Sequence, residues 1–225
     1  MSTALLCLGL ETSSRPPSVA LSMGDRMTER ALETERRHAS DLLPALEELL
    51  VDLEATPADL ELIAVGVGPG SYTGLRVGVA TALGLVRATG AQLVGVPSVA
   101  ALAYERLEVD EVGSILLDAR SQQLYLATYR RTPGGVEEIL APCVTTADEV
   151  MSLLPAEGRI LGDSTAADAA RLDESTRERF GTCAVPGAGA VLELGRARFE
   201  EKGAMSVDEV RPLYLRPFAA ATRKR

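Results

Sequence analysis

One pattern occurs twice along the chain, and it limits the folds available more than any other feature. In "ALLCLGLETSSRPPSVALSM" an apolar run at residues 4–10 reaches Glu11, turns, and comes back as "SVALSM". In "SILLDARSQQLYLATYR" the run at residues 115–117 reaches Asp118, where the strand is expected to end, and comes back as "LYLATY". Pro16 and Pro17 belong in the first turn, because proline cannot donate to a central ladder. Setting Glu11 on Asp118 puts Val19 and Ala20 on Leu126 and Ala127 with no gap, so the chain reads as two copies of one strand–acid–strand unit. A chain of 225 residues is long enough for two such lobes. The boundary falls near residues 104–112, giving a first lobe at 1–107 and a second at 108–225.

Between the first unit and a glycine cluster lies "HASDLLPALEELLVDLEA". Its Leu42, Leu43, Leu46, Leu49, Leu50 and Leu53 recur at three- and four-residue spacings, which predicts an amphipathic helix. Ser40 is placed to cap it, with Asp41 in the first turn. Pro44 then requires the helix to start near Ser40, since a proline deeper inside costs about 3 kcal/mol. Thr56, Pro57 and Asp59 form a capping-box entry to a further turn, and "LIAVGVG" follows as a buried strand. In the second lobe "TADEVMSLL" and "AGAVLELGRARFEEKG" predict helices, "GRILGDST" a strand with a turn, and "VRPLYLRP" an extended terminal segment.

The stretch "VGVGPGSYTGLRVGVATALGLV" joins strand, glycine loop and helix N-terminus, where free N–H groups and the helix dipole favour an anion. No phosphate motif is met in detail. A P-loop needs Lys after its last glycine, and Gly70 and Gly74 are followed by Ser71 and Leu75. Gly66, Gly68 and Gly70 are too closely spaced for a dinucleotide fingerprint. Ser71 lacks the flanking glycines of a nucleophile elbow. A sharp turn through Gly68, Pro69, Gly70 and Ser71, with Thr73 capping the helix that carries Arg76, explains the loop without a ligand.

The helix itself is smooth. Gly74, Gly78 and Ala82 lie four apart, Leu75, Val79, Leu85 and Val86 cover the remainder, and only Arg76 and Arg87 interrupt. Such a helix is expected to be covered by its own sheet and by a second body, either the leucine-rich helix of the same lobe or another subunit.

Charge and composition exclude several functions. A net charge of −9 argues against gripping nucleic acid alone through phosphate neutralisation, and the terminal "TRKR" reads as a solvated tail. Cys7, Cys143 and Cys183 have neither metal nor redox spacing, which points to a reducing cytoplasm. The N-terminus lacks a basic n-region, and Glu11 breaks its apolar run, so neither a targeting signal nor a membrane span is expected. His38 is the sole histidine. A paired-histidine metal site cannot form, and a Ser-His-Asp triad would have to recruit His38 with no nucleophile placed beside it. Glu11 and Asp118 either bind a cation or accept turn N–H bonds, and the turn role is favoured. No catalytic, cofactor-binding or metal residue, and no cofactor, is assigned.

Taken in order, "LGLETSS…SVAL", "RRHASDLLPALEELL", "IAVGVGPGSYTGLRVGVATALGL", "LVGVPSVAALA", "LLDARSQQLYLATY" and "PLYLRP" resemble the TsaB (YeaZ) family of tRNA threonylcarbamoyladenosine biosynthesis. The match is most specific at "GPGSYTGLR" and weakest at residues 132–203. The resemblance implies an α/β, actin-like, Hsp70-like or sugar-kinase (ribonuclease H-like) fold, two related lobes each with a mixed sheet and flanking helices. It implies a non-catalytic paralogue of TsaD, the subunit that transfers the threonylcarbamoyl group to the adenosine beside the anticodon. The paired histidines of TsaD's metal site are missing here.

Family members pair with TsaD through two N-terminal-lobe helices, corresponding here to residues 40–53 and 73–88, and act with TsaE and ATP. The implied interface is Leu42, Leu43, Leu46, Leu49, Leu50, Leu53, Gly74, Leu75, Gly78, Val79, Ala82 and Val86, with Gly74, Gly78 and Ala82 as the close-approach face. tRNA would be met only through the complex, and a homodimer is expected when the partner is missing. Glu11 departs from the family's more frequent Asp. The competing readings are a stand-alone ATPase or small-molecule kinase of the same fold, and a metallopeptidase.

Overall fold

The structure is a computed structural model that describes residues 5–32, 41–183 and 186–216. His38 and Ser40, and with Ser40 the expected cap of the leucine-rich helix, lie outside the described residues.

The first sheet is built from β1 (Leu6–Glu11), β2 (Ser18–Met23), β3 (Arg26–Ala31), β4 (Leu62–Gly68) and β5 (Gln92–Pro97), in the order β3-β2-β1-β4-β5. β1 pairs antiparallel with β2 and parallel with β4, and β4 pairs parallel with β5. The second sheet repeats this with β6 (Val112–Arg120), β7 (Gln123–Thr132), β8 (Gly135–Thr146), β9 (Arg159–Gly162) and β10 (Phe180–Thr182), in the order β10-β9-β6-β7-β8. There β6 runs antiparallel to β7 and parallel to β9, and β9 runs parallel to β10. The fold is therefore α/β, with one topology used twice.

The duplication is one of topology and not of register. Glu11 pairs with Ser18, but Asp118 pairs with Leu124, one position off the gapless alignment. Six residues join β1 to β2, whereas Ser121 and Gln122 alone join β6 to β7. Nor does Asp118 end its strand. β6 continues to Arg120 through an irregularity between Asp118 and Arg120, and Arg120, Ser121 and Gln122 all take positive φ to close the tight turn. Side chains alternate faces along a strand, so a one-residue shift reverses which face each returning residue meets.

The central strands bury both faces. Leu6, Leu8, Leu10, Ile63 and Val65 pack outward against α1 (Leu42–Asp52) and α2 (Tyr72–Thr89). Cys7, Leu62, Ala64 and Val96 pack inward against α3 (Ser98–Arg106) and α7 (Ala188–Lys202). Ile115, Ala127, Tyr129 and Leu161 of the second sheet close the same inner core. On its far side Leu116, Leu124 and Leu126 pack on α4 (Ala147–Leu153) and α5 (Ser164–Ala169). The short α6 (Glu174–Glu178) precedes β10. A strand covered on both faces reads as a continuous apolar run, which is why "LCLGL" and "LIAVGVG" do not alternate.

α7 follows the second sheet in sequence but lies on the first. A Cβ on Gly195 would overlap the Cβ of Ala64, so helix and β4 approach at the distance glycine permits. At the start of α7 the Ala188 N–H donates to Glu29 Oε1 of β3 at 2.7 Å and to Ser18 Oγ at 2.8 Å. A carboxylate at that end opposes the helix dipole favourably. The terminal segment also returns to the first sheet, with the Leu213 N–H donating to the Val67 carbonyl at 2.7 Å.

Candidate functional site

Two features of the first lobe meet at the glycine loop, namely helix α2 and the cleft between the lobes. The loop is clamped by Thr12 and Ser13. The Ser71 N–H donates to the Ser13 carbonyl at 2.6 Å, and the Thr12 hydroxyl donates to the Gly74 carbonyl at 2.8 Å. Gly68 has φ +98°, and a Cβ there would sit 2.8 Å from Leu75 Cδ1, so the turn admits no side chain. The cap of α2 is Ser71 and not Thr73. Ser71 Oγ accepts the Gly74 N–H at 3.3 Å, and the helix starts at Tyr72, so Thr73 already lies within it.

The close-approach face of α2 points into the molecule, which corrects its assignment as a docking surface. A Cβ on Gly74 would overlap the Thr12 carbonyl oxygen, and one on Gly78 the Thr12 hydroxyl oxygen. Leu75, Gly78, Val79 and Ala82 are buried, as are Leu42, Leu46, Leu49, Leu50 and Leu53 around α1. They face the sheet because that is where an amphipathic helix puts its apolar stripe. Of the twelve expected interface residues, Leu43 is exposed, and Gly74 and Val86 are half-buried.

The opposite side of α2 is smooth as well. Thr73, Ala80, Gly84, Arg87 and Ala88 are exposed, and a Cβ on Gly84 would meet nothing within 4 Å. On α1, Leu43 and Val51 are 48% and 74% exposed and lie two turns apart on its outer stripe. The sequence carried this signal at Ala80, Gly84 and Ala88, but a helix with small residues on both sides does not reveal which side faces the sheet.

Between the lobes lies a cleft of about 710 Å³, lined by the glycine loop, the end of β6, the β9–α5 turn and the terminal segment. Asp118 and Asp163 line it, and each serves a turn. Asp118 Oδ1 accepts the Arg120 N–H at 2.7 Å, while Asp163 accepts the Ala166 N–H at 2.7 Å and the Asp118 N–H at 3.0 Å. Burial pushes the Cys183 thiol up to about 11, so that cleft residue is no thiolate nucleophile at neutral pH. Among the described residues no three His, Cys, Asp or Glu side chains converge as a metal site.

Glu11 is fully buried beneath the loop. Oε1 accepts the Ser13 N–H at 2.5 Å, and a Cβ on Gly66 would overlap Oε2. Burial drives its carboxyl above the usual range, an effect moderated by hydrogen bonds from Ser13, Ser98 and the Thr12 N–H. The Ser98 hydroxyl in turn accepts the Gly68 N–H at 3.1 Å.

Comparison with known proteins extends these observations. The family model described as "TsaD: tRNA N6-adenosine threonylcarbamoyltransferase" matches residues 32–209. The chain is 30% identical over 217 residues to the Bacillus subtilis tRNA threonylcarbamoyladenosine biosynthesis protein TsaB, covering 93% of each chain. It belongs to the TsaB (YeaZ) family. Escherichia coli TsaB is 28% identical over 218 residues, covering 93% of this chain and 94% of that protein. The solved structure of YeaZ from Pseudomonas aeruginosa superposes with a TM-score of 0.81 at 24% identity, covering 94% of this chain and all of the other. The two-lobed, actin-like fold expected for TsaB proteins is the fold observed. No helix among the described residues is long and apolar enough to cross a membrane.

Thr12, Gly84 and the terminal Tyr214 and Arg216 lie within the stretches that carry the family resemblance but were assigned no role of their own. Their places depend on contacts made across the sheet or across the cleft.

Proposed function

We propose that this member of the TsaB family, whose curated relatives are named for tRNA threonylcarbamoyladenosine biosynthesis, is a non-catalytic subunit that binds and activates the transferase TsaD, with TsaE and ATP acting on the assembly. The carrying observation is the outer surface of α1 and α2. Leu43 and Val51 stand in solvent on α1, and on α2, which packs on the same side of the sheet, Ala80, Gly84 and Ala88 allow another backbone to come close. A stable interface combines apolar anchors with close packing at its centre, and this surface supplies both. A single histidine in the whole chain supports the non-catalytic role, because the paired-histidine metal site implied for TsaD has no counterpart in this sequence.

Co-purification with TsaD of the same organism tests the proposal. The expected result is a stoichiometric heterodimer and loss of the modified adenosine in tRNA on depletion of this protein. A chain that stays alone at micromolar concentration, in cells whose tRNA remains modified after depletion, contradicts it. The stand-alone kinase reading makes the opposite prediction, a calorimetric heat on titrating the isolated chain with Mg-ATP.

A further inference from the structure

We propose that the mouth of the interlobe cleft is a stacking platform for single-stranded RNA, an inference that rests on the tRNA-modification reading above. The chain carries a net charge of −9, yet its cleft mouth is cationic. Arg15, Arg120 and Arg216 line the cleft, and Arg76 lies over Tyr72, which lines it too. None of the four belongs to an ion pair among the described residues. The carboxylates facing them are Asp118 and Asp163, and three of their four oxygens already accept backbone N–H groups.

The aromatic surface is preorganised. Tyr72 and Tyr214 stack with ring centroids 4.8 Å apart and planes 27° apart, and the Arg76 guanidinium sits 5.5 Å from the Tyr72 centroid. Tyr214 is nevertheless 46% exposed. The segment carrying it is tied down on one side by the Leu213 N–H bond to Val67 and on the other through the Arg216 side chain, whose guanidinium donates to the carbonyls of Ala119 and Arg120. A ring fixed in place and open to solvent can stack a base with little ordering cost, while arginines around it engage the phosphates.

This chemistry selects an unpaired strand. Bases within a duplex have no free face to stack, whereas loop nucleotides can be splayed onto tyrosine and arginine planes. The platform is continuous through Tyr72 and Thr73 with the outer side of α2, the surface proposed above for the transferase. An RNA loop held here would lie beside that partner.

The experiment is fluorescence anisotropy of the purified full chain with a labelled anticodon stem-loop RNA and with oligoadenylate, at low and moderate salt. The wild type is expected to bind both, more weakly as salt rises. Tyr214→Ala should weaken binding about tenfold, Tyr214→Phe should preserve it, and Arg15→Gln, which removes an exposed cation of the cleft mouth, should weaken it and flatten the salt dependence. A wild type that binds neither RNA, or a folded Tyr214→Ala that binds as well as wild type, overturns the proposal. AMP binding as tightly as the RNA also overturns it, in favour of a small-nucleotide pocket. TsaD pairing measured on the same variants separates the two readings. Pairing retained without RNA binding defeats the platform alone, whereas loss of pairing by the wild type defeats the proposed function.

Discussion

The two sides of α2 have similar residues and opposite surroundings. Gly74, Gly78 and Ala82 face inward, where Thr12 fills the space a side chain would need, while Ala80, Gly84 and Ala88 face outward, where Gly84 meets nothing within 4 Å. A glycine stripe thus records that something comes close to the backbone without saying whether it is the same chain or another. The inner stripe serves folding. The outer one stays open to solvent, and it is the one on which the proposed pairing stands.

The largest expected effects come from filling the inner approaches. Gly78→Leu drives a side chain into Thr12, and Gly195→Leu drives one into Ala64 on the other face of the sheet, each costing about 3 kcal/mol in urea denaturation. If either variant kept wild-type stability, the division between inner and outer glycines would fail.

Glu29→Ala is smaller. It removes the carboxylate from the first turn of α7 and should cost about 1 kcal/mol by the same assay. A variant that melts with the wild type would show that Ser18 alone suffices there.

Glu11→Gln gives a pH-dependent difference. Because burial raises this carboxyl, the folded state holds its proton more tightly than the unfolded state does. Its contribution to stability is fully present below the unfolded value of about 4.3 and is lost as pH rises through the folded value. The variant should therefore gain on the wild type as pH increases, and parallel stability curves across that range would refute the account of Glu11.

Much of the architecture was legible in the sequence, for reasons particular to its elements. The strand–acid–strand repeat showed because central strands buried on both faces leave unbroken apolar runs. Thr56 and Asp59 showed because a capping box is local, and the Thr56 N–H does donate to Asp59 Oδ2 at 2.8 Å. β3 gave no signal, since "RMTERA" is an edge strand exposed along nearly its whole length. The register of the second hairpin was hidden by the irregularity at Asp118, which a gapless alignment cannot represent. The side of α2 that faces the sheet was hidden for a different reason. It is decided by Thr12, distant in sequence and with nothing in its own neighbourhood to mark it.

The most direct test of the central claim is the affinity of Gly84→Leu for TsaD, measured by calorimetric titration beside the wild type with both melting curves recorded. Leucine at an open helical position should leave stability within about 1 kcal/mol of wild type or raise it, while weakening the pairing at least about tenfold, or 1.4 kcal/mol. Unchanged affinity in a fully folded Gly84→Leu would contradict the assignment of the outer side of α2 as the docking surface.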